Sequence, residues 1–243
     1  MDLAGRTALV TGASGCIGAE LSRRLAEGGV AVAVHYRDSE AEALAVADSV
    51  RAAGARALIV QADLADVAAC EALAERVEAE LGPVDVLAAN AGLGESAPWQ
   101  EVDAEAFDRM YAINLRAPFL LARRALPGMV ERGFGRVLFT SSIAGLTGGV
   151  IGPHYAATKS ALHGLTHHLA SRVAGDGVTV NAIAPALIAE TRMLPGDPRE
   201  LAGRVPVGRL GTPAEIADLA LAILRNGYVT SKVIAIDGGI YPT

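Results

Sequence analysis

Short apolar runs alternate with longer amphipathic stretches along almost the whole chain, and few folds accept that rhythm. Residues 7–10, 30–35, 57–61, 84–88, 136–140, 179–183 and 233–236 are dominated by Val, Ile, Leu and Ala. Continuous apolarity of this kind marks strands buried on both faces, as in a parallel sheet. Between them, residues 19–27, 39–53, 67–81, 103–130, 154–173 and 212–224 carry helical signals. Thr212-Pro213 followed by Glu215 reads as an N-cap, a proline at the first helical position and an acid in the first turn. The expectation is an α/β chain, doubly wound in the Rossmann manner around about seven parallel strands, with ligands outside the carboxyl ends of the strands.

With 243 residues, 51% of them apolar, the chain can bury one large core, and residues 1–243 are read as one domain. Residues 187–211 break the rhythm, with Pro195, Pro198, Pro206 and four glycines between the sixth strand and the Thr212 helix. They are read as a substrate flap, the alternative being a plain surface excursion.

Directly after the first strand, Thr11-Gly12-Ala13-Ser14-Gly15-Cys16-Ile17-Gly18 opens into a helix. Glycines let backbone approach phosphates closely, and a helix N-terminus adds free N–H groups and partial positive charge, so a pyrophosphate is expected here. The second strand ends in His35-Tyr36-Arg37, without the acid that would meet an adenosine ribose 2′-hydroxyl. Arg37 can meet a 2′-phosphate instead, which favours NADP(H) over NAD(H), although Asp38 stands one residue further on. Asp63, after the third strand, can accept from an adenine amino group, and Asn90-Ala91-Gly92, after the fourth, can bring backbone close to a cofactor. Both can also be simple caps and turns.

Of the 21 cationic side chains only Lys159 and Lys232 are lysines, and Lys159 stands four residues after Tyr155. On a helix that spacing puts both on one face. At about 5 Å and an effective dielectric of about 20, an ammonium stabilises a phenolate by roughly 3 kcal/mol, or about two pKa units. Arginine, planar and bulkier, could not act as so compact a charge. Tyr155 is then a proton donor for the negative charge that grows on a carbonyl oxygen when hydride reaches its carbon. Ser141 and Ser142 close the fifth strand, and because neighbours on a strand face opposite sides, only one can give that oxygen a second hydrogen bond. Asn114 lies inside the long apolar helix 103–130, a costly site for an amide unless it is bonded.

A formal charge of −6 and a pI near 5.4 argue against nucleic acid or an anionic membrane as partner. There is no apolar run of membrane-spanning length and no basic leader, so the protein is expected in the cytoplasm, and Cys16 and Cys70 are too few for a disulfide framework. His154, His163, His167 and His168 cluster on or beside the Tyr155 helix without an acid at fitting spacing; solvated or interface roles are expected for them, and no metal. Trp99 either touches substrate or packs.

In order and spacing, the 11–18 turn, Asp63, Asn90-Ala91-Gly92, Asn114, Ser142, Tyr155, Lys159, Asn181, Pro185 and Asp237-Gly238-Gly239 resemble the short-chain dehydrogenase/reductase family in its compact single-domain form, over essentially the whole chain. The tail Pro206-Val207-Gly208-Arg209-Leu210-Gly211-Thr212-Pro213 with Ile236-Asp237-Gly238-Gly239 looks most like the 3-oxoacyl-(acyl-carrier-protein) reductase branch, though other reductases have similar tails. The resemblance implies NADPH-dependent reduction of a small or acyl-carrier-bound ketone, such as a 3-oxoacyl thioester. Tyr155 would be the donor, Ser142 rather than Ser141 would bond the substrate oxygen, and Lys159 would also hold nicotinamide ribose hydroxyls. Asn114 would hold a water between Lys159 and solvent. Cofactor contacts are implied at Gly12, Ser14, Cys16, Ile17, Gly18, Arg37, Asp63, Leu64, Asn90, Ala91, Gly92, Pro185 and Ile188. It further implies a homotetramer paired through helices 103–130 and 154–173, with Ala117, Leu121, Ala125, Ala157, Ala161, Leu165 and Leu169 as interface residues. Cys16 replaces the family's middle glycine, and Ala89, Ala186 and Ser231 depart from common Asn or Gly, which bears on cofactor affinity rather than chemistry. Two other functions fit the same residues: an NAD-dependent secondary-alcohol dehydrogenase, or a catalytically weak protein that keeps the fold for binding or assembly.

Overall fold

The computed structural model describes residues 2–191, 193–194 and 196–242. Strands β1 (Thr7–Val10), β2 (Ala31–Tyr36), β3 (Ala57–Gln61), β4 (Val86–Ala89), β5 (Gly135–Thr140), β6 (Val178–Pro185) and β7 (Val233–Ile236) form a sheet in the order β3-β2-β1-β4-β5-β6-β7. Every pairing is parallel. The chain starts in the middle, winds outward to β3 and then returns past β1 to β4, so the direction of winding reverses between β1 and β4. There Val10 pairs with Ala88, which sets the glycine turn after β1 beside Asn90-Ala91-Gly92. That crevice is where open α/β sheets bind ligands.

The helices are α1 (Cys16–Glu27), α2 (Glu40–Ala52), α3 (Val67–Glu80), α4 (Ala104–Tyr111), α5 (Ala117–Glu131), α6 (Ala144–Thr147), α7 (Pro153–Val173), α8 (Pro198–Ala202) and α9 (Pro213–Arg225). Two cores result, one on each face of the sheet. Leu21 and Leu25 of α1, Val50 of α2 and Ile216 of α9 fill one, while Leu73 of α3, Leu121 and Met129 of α5 and Leu162 of α7 fill the other. Each such side chain contributes roughly 1.5–3 kcal/mol by leaving water. Asp66 caps α3 through the Ala68 amide, Asp103 caps α4 through that of Ala106, and Thr212 and Glu215 form a reciprocal capping box on α9. No described helix is long and apolar enough to cross a membrane.

Two stretches differ from the sequence reading. The helix expected over 103–130 is interrupted, with a π-helical turn at Ala112–Arg116 separating α4 from α5. Asn114 is the cause: it is fully buried, and the wider turn lets its amide meet both polar groups of the Leu93 backbone. Within 187–211, where no element was expected, α8 forms behind an Asp197 cap. Hydrogen bonds from Ala189 N to Gly211 O (2.9 Å) and from Gly211 N to Leu187 O (3.0 Å) pinch the two ends of this segment together. Pro195, one of the prolines that mark it, lies outside the described residues.

Candidate active site

The glycine turn is locked before any ligand is considered. Gly12 has φ +62°, open to glycine at little cost, and a Cβ there would stand 2.9 Å from the Ala91 Cα. At Gly18 a Cβ would fall 2.4 Å from the Gly12 carbonyl oxygen. Backbone is therefore packed on backbone, and neighbouring polar groups fix it further. Thr11 Oγ1 accepts from the Asn90 and Ala91 amides, both at 3.0 Å, and Asn90 Nδ2 donates to the Thr11 and Gly12 carbonyls. The Gly12 amide donates at 3.0 Å to His35 Nδ1, while His35 Nε2 lies 3.1 Å from the Ala62 carbonyl. That geometry is satisfied by the neutral ring alone, and burial pushes the His35 pKa down to about 4. α1 carries no side-chain cap, whereas α3, α4 and α9 do, and no acid stands in its first turn. Its first amides are left for an anionic guest.

A cavity of about 910 Å³ runs from this turn across the carboxyl ends of the strands. It is lined by every cofactor contact expected from the sequence except Gly18, which packs behind the turn, and by Ser142, Tyr155 and Lys159. Asn114 lies behind the lining, and Gly92 separates it from Lys159. A Cβ at Gly92 would be 3.3 Å from Lys159 Nζ and 3.4 Å from Asn114 Oδ1. The Asn114 amide is bonded to the Leu93 backbone at 2.7 and 2.9 Å, which satisfies it within the buried helix.

Tyr155 and Lys159 share one face of α7, both almost fully buried. The ammonium stands 5.7 Å from the Tyr155 ring centre and donates at 2.7 Å to the Thr140 carbonyl. The electrostatics correct the expectation of an acidified phenol. Burial pushes the Tyr155 phenol above its ordinary range, hydrogen bonding with Ser142 working the other way, and burial pushes Lys159 down to about 8. Loss of water from both groups outweighs their attraction. The phenol consequently keeps its proton at neutral pH, the state a donor requires. Ser141 and Ser142 diverge as strand geometry demands: Ser141 Oγ donates to the Lys159 carbonyl at 2.9 Å and meets His163 Nε2 at 2.8 Å. Ser142 turns toward the phenol, its Oγ accepting from the Ala144 amide.

At the adenine end, Arg37 and Asp38 are joined by a 2.5 Å ion pair, both exposed on the cavity wall. Asp63 Oδ1 accepts from the Ala65 amide at 2.9 Å, a turn contact, while its side chain still lines the cavity. Cys16, the first residue of α1, faces the same space, its thiol pushed up mainly by burial.

Several expectations fail. His154 is not solvated but buried, with Nδ1 lacking a partner, and His163 is half-buried on Ser141. Among the described residues no group of three or more His, Cys, Asp or Glu is placed to hold a metal. Trp99 is 73% exposed and outside the cavity lining, so it neither packs nor lines the site. Ala117, Leu121 and Ala125 are buried within the chain's own core instead of facing outward. Conversely, the supporting roles of Thr11, His35 and Thr140 went unforeseen; a histidine closing an apolar strand was the one available signal.

Comparison with known proteins bears directly on this arrangement. Residues 6–200 match the family model described as short chain dehydrogenase. The chain is 40% identical over 242 residues to cis-4-hydroxycyclohexanecarboxylate dehydrogenase of Sinomonas cyclohexanicum, covering 96% of each. It is 34% identical to the 3-oxoacyl-(acyl-carrier-protein) reductase FabG of Staphylococcus aureus, covering 97% of this chain and 98% of the relative. Among solved structures, a blue fluorescent protein from a metagenomic library in complex with NADPH superposes with a TM-score of 0.93 at 36% identity, each chain fully covered.

Proposed function

Because the chain belongs to the short-chain dehydrogenase family and is an NAD(P)-dependent oxidoreductase, we propose that it reduces a ketone to a secondary alcohol with NADPH and Tyr155 as the proton donor. The observation that carries this reading is the placement of the Ser142 and Tyr155 hydroxyls together, with Lys159 behind them, in the cavity that begins at the glycine turn. The turn fits a dinucleotide: its backbone lies where any Cβ at Gly12 would collide, and α1 leaves its first amides unspent. Gly12, Ser14, Cys16 and Ile17 would hold the pyrophosphate, Arg37, Asp63 and Leu64 the adenosine, and Asn90, Ala91, Gly92, Pro185, Ile188 and Lys159 the nicotinamide half. When bound, the nicotinamide supplies the hydride. Ser142 and Tyr155 then hold the carbonyl oxygen from two sides, and the Tyr155 proton passes to that oxygen as its charge grows. Lys159, titrating near 8, exchanges protons close to neutrality and can restore the phenol.

Residues 187–211 act as the substrate flap in this reading, pinned at Leu187 and Gly211 and lining the cavity between. A 3-oxoacyl thioester is the substrate favoured by the tail at 206–213 and by the FabG relative. The Sinomonas relative, a dehydrogenase of a ring secondary alcohol, supports the reverse direction as a second reading. The same reading takes the protein as a cytoplasmic homotetramer, and exposed Phe107 and Tyr111 on α4 and Phe119 on α5 support it as contact surface. A panel of ketones and secondary alcohols, assayed with NADPH and NADH by nicotinamide absorbance, tests the proposal. Turnover of a ketone with NADPH that disappears in Tyr155→Phe is expected. Absence of NADPH binding at millimolar concentration defeats it; if NADH also fails to bind, the non-catalytic alternative is left.

A further inference from the structure

A methionine of the flap is seated on a glycine that follows β4. A Cβ at Gly94 would stand 2.7 Å from Met193 Sδ, 3.2 Å from Met193 Cγ and 3.4 Å from Ile151 Cδ1. The Gly94 backbone lies outside the left-handed region, so its conformation makes no demand for glycine. What needs the missing side chain is the thioether, which takes the space a methyl group would fill, beside Ile151. The other two parties to this contact are held by hydrogen bonds. Leu93, the neighbour of Gly94, is bonded through its backbone to Asn114 at 2.7 and 2.9 Å, and the Ala97 amide donates at 2.9 Å to the Ile151 carbonyl. Met193, with a flexible side chain 38% exposed, is the part free to adjust.

The contact leads to the proton donor. Leu93 and Ile151 pack against the cluster of Met110, Ala144 and Tyr155, and Leu93, Ile151 and Met193 all line the cavity. A substituent that runs along Leu93 and Ile151 from a carbonyl held at Tyr155 therefore ends at Met193. Every side chain on this path is uncharged and apolar, so hydrocarbon gains by lying there, whereas a charge would lose its water without a partner. We propose that Met193, seated on Gly94, is a specificity-determining residue that limits the bulk of an uncharged hydrocarbon arm on the ketone. The proposal rests on the ketone reduction above and adds the class of the substrate, a ketone with one compact apolar arm.

The test compares 2-pentanone with 4,4-dimethyl-2-pentanone, each variant being scored by its kcat/KM relative to the wild type on the same ketone, so that intrinsic reactivity cancels. Met193→Ala is expected to favour the branched ketone over the linear one by about tenfold or more, the scale of added methyl groups in an apolar pocket. Met193→Leu, of similar volume, should leave the order unchanged. Gly94→Ala, whose Cβ meets side-chain atoms and no backbone, should shift the same preference when Met193 is present and do little in Met193→Ala. A carboxylate on the arm is expected to be rejected, with 5-oxohexanoate about tenfold poorer than 2-heptanone. An unchanged preference in both single variants, an equal effect of Gly94→Ala in both backgrounds, or a preference for the acid overturns the proposal while leaving ketone reduction standing. If no ketone turns over, the reductase reading fails, and the size limit is judged by binding. A rise in Tm with 4,4-dimethyl-2-pentanone that is larger for Met193→Ala than for the wild type supports it, and equal shifts overturn it.

Discussion

The Lys159 ammonium stands 5.7 Å from the centre of the Tyr155 ring and gives its 2.7 Å hydrogen bond to the Thr140 carbonyl instead of to the phenol. Both groups are buried, and each is driven toward its neutral form. A protonated phenol is thus maintained by burial.

Removing the donor should remove the chemistry and little else. Tyr155→Phe is expected to lower kcat by about a hundredfold to ten-thousandfold, while the Kd for NADPH, measured by fluorescence titration, stays within about twofold. Substantial remaining turnover would transfer the donor role elsewhere.

Lys159 should cost stability at neutral pH. Its folded pKa is depressed to about 8 from 10.5, so between those values the unfolded chain holds more protons than the folded one and wild-type stability rises with pH. Lys159→Met is expected to be inactive yet more stable at pH 7, by at most about 3 kcal/mol. That margin should shrink as pH climbs from 8 to 10.5, as read from denaturant unfolding at several pH values.

His35 works in a lower window. Its folded pKa of about 4 lies beneath the ordinary 6.5, so the unfolded chain binds the extra proton between these values. The stability it provides is complete above pH 6.5 and is lost as pH falls toward 4. His35→Asn should show a flatter stability profile across that interval; parallel profiles for the two proteins would remove His35 from the acid response.

Two glycines in helices should respond in opposite ways to the same methyl group. Gly18→Ala drives a Cβ to 2.4 Å from the Gly12 oxygen and should lower both Tm and NADPH affinity. At Gly164 on α7 nothing lies within 4 Å, so Gly164→Ala should stabilise by about 0.5–1 kcal/mol through helix propensity. A Gly18→Ala protein with unaltered cofactor affinity would show that the turn yields more easily than its packing indicates.

Arg37 should govern the choice between phosphorylated and unphosphorylated cofactor. Arg37→Ala is expected to weaken NADPH by about tenfold or more while sparing NADH, with both Kd values taken by titration. Because Asp38 holds the guanidinium at 2.5 Å, equal losses for both cofactors would mean the pair serves only the loop.

The sheet was legible because its strands are continuous apolar runs: 7–10, 57–61 and 233–236 match β1, β3 and β7 residue for residue. The site was legible where an uncommon residue stood at a strand end or at helical spacing, as with the glycine turn, Ser142, Tyr155 and Lys159. What could not be read depended on tertiary partners. The π-turn at Asn114 exists because the Leu93 backbone comes to meet it, and the His35 bond to Gly12 joins residues 23 positions apart. The direction of the Tyr155 shift likewise needed the degree of burial, which spacing alone does not contain.

The missing cap of α1 reaches beyond recognition of a ligand. A helix whose opening turn is finished by a borrowed anion has part of its own architecture supplied from the metabolite pool. The protein's stability against unfolding should therefore rise with how much nucleotide surrounds it, by RT ln(1 + [L]/Kd). Starvation for that nucleotide would be felt as fragility as well as idleness.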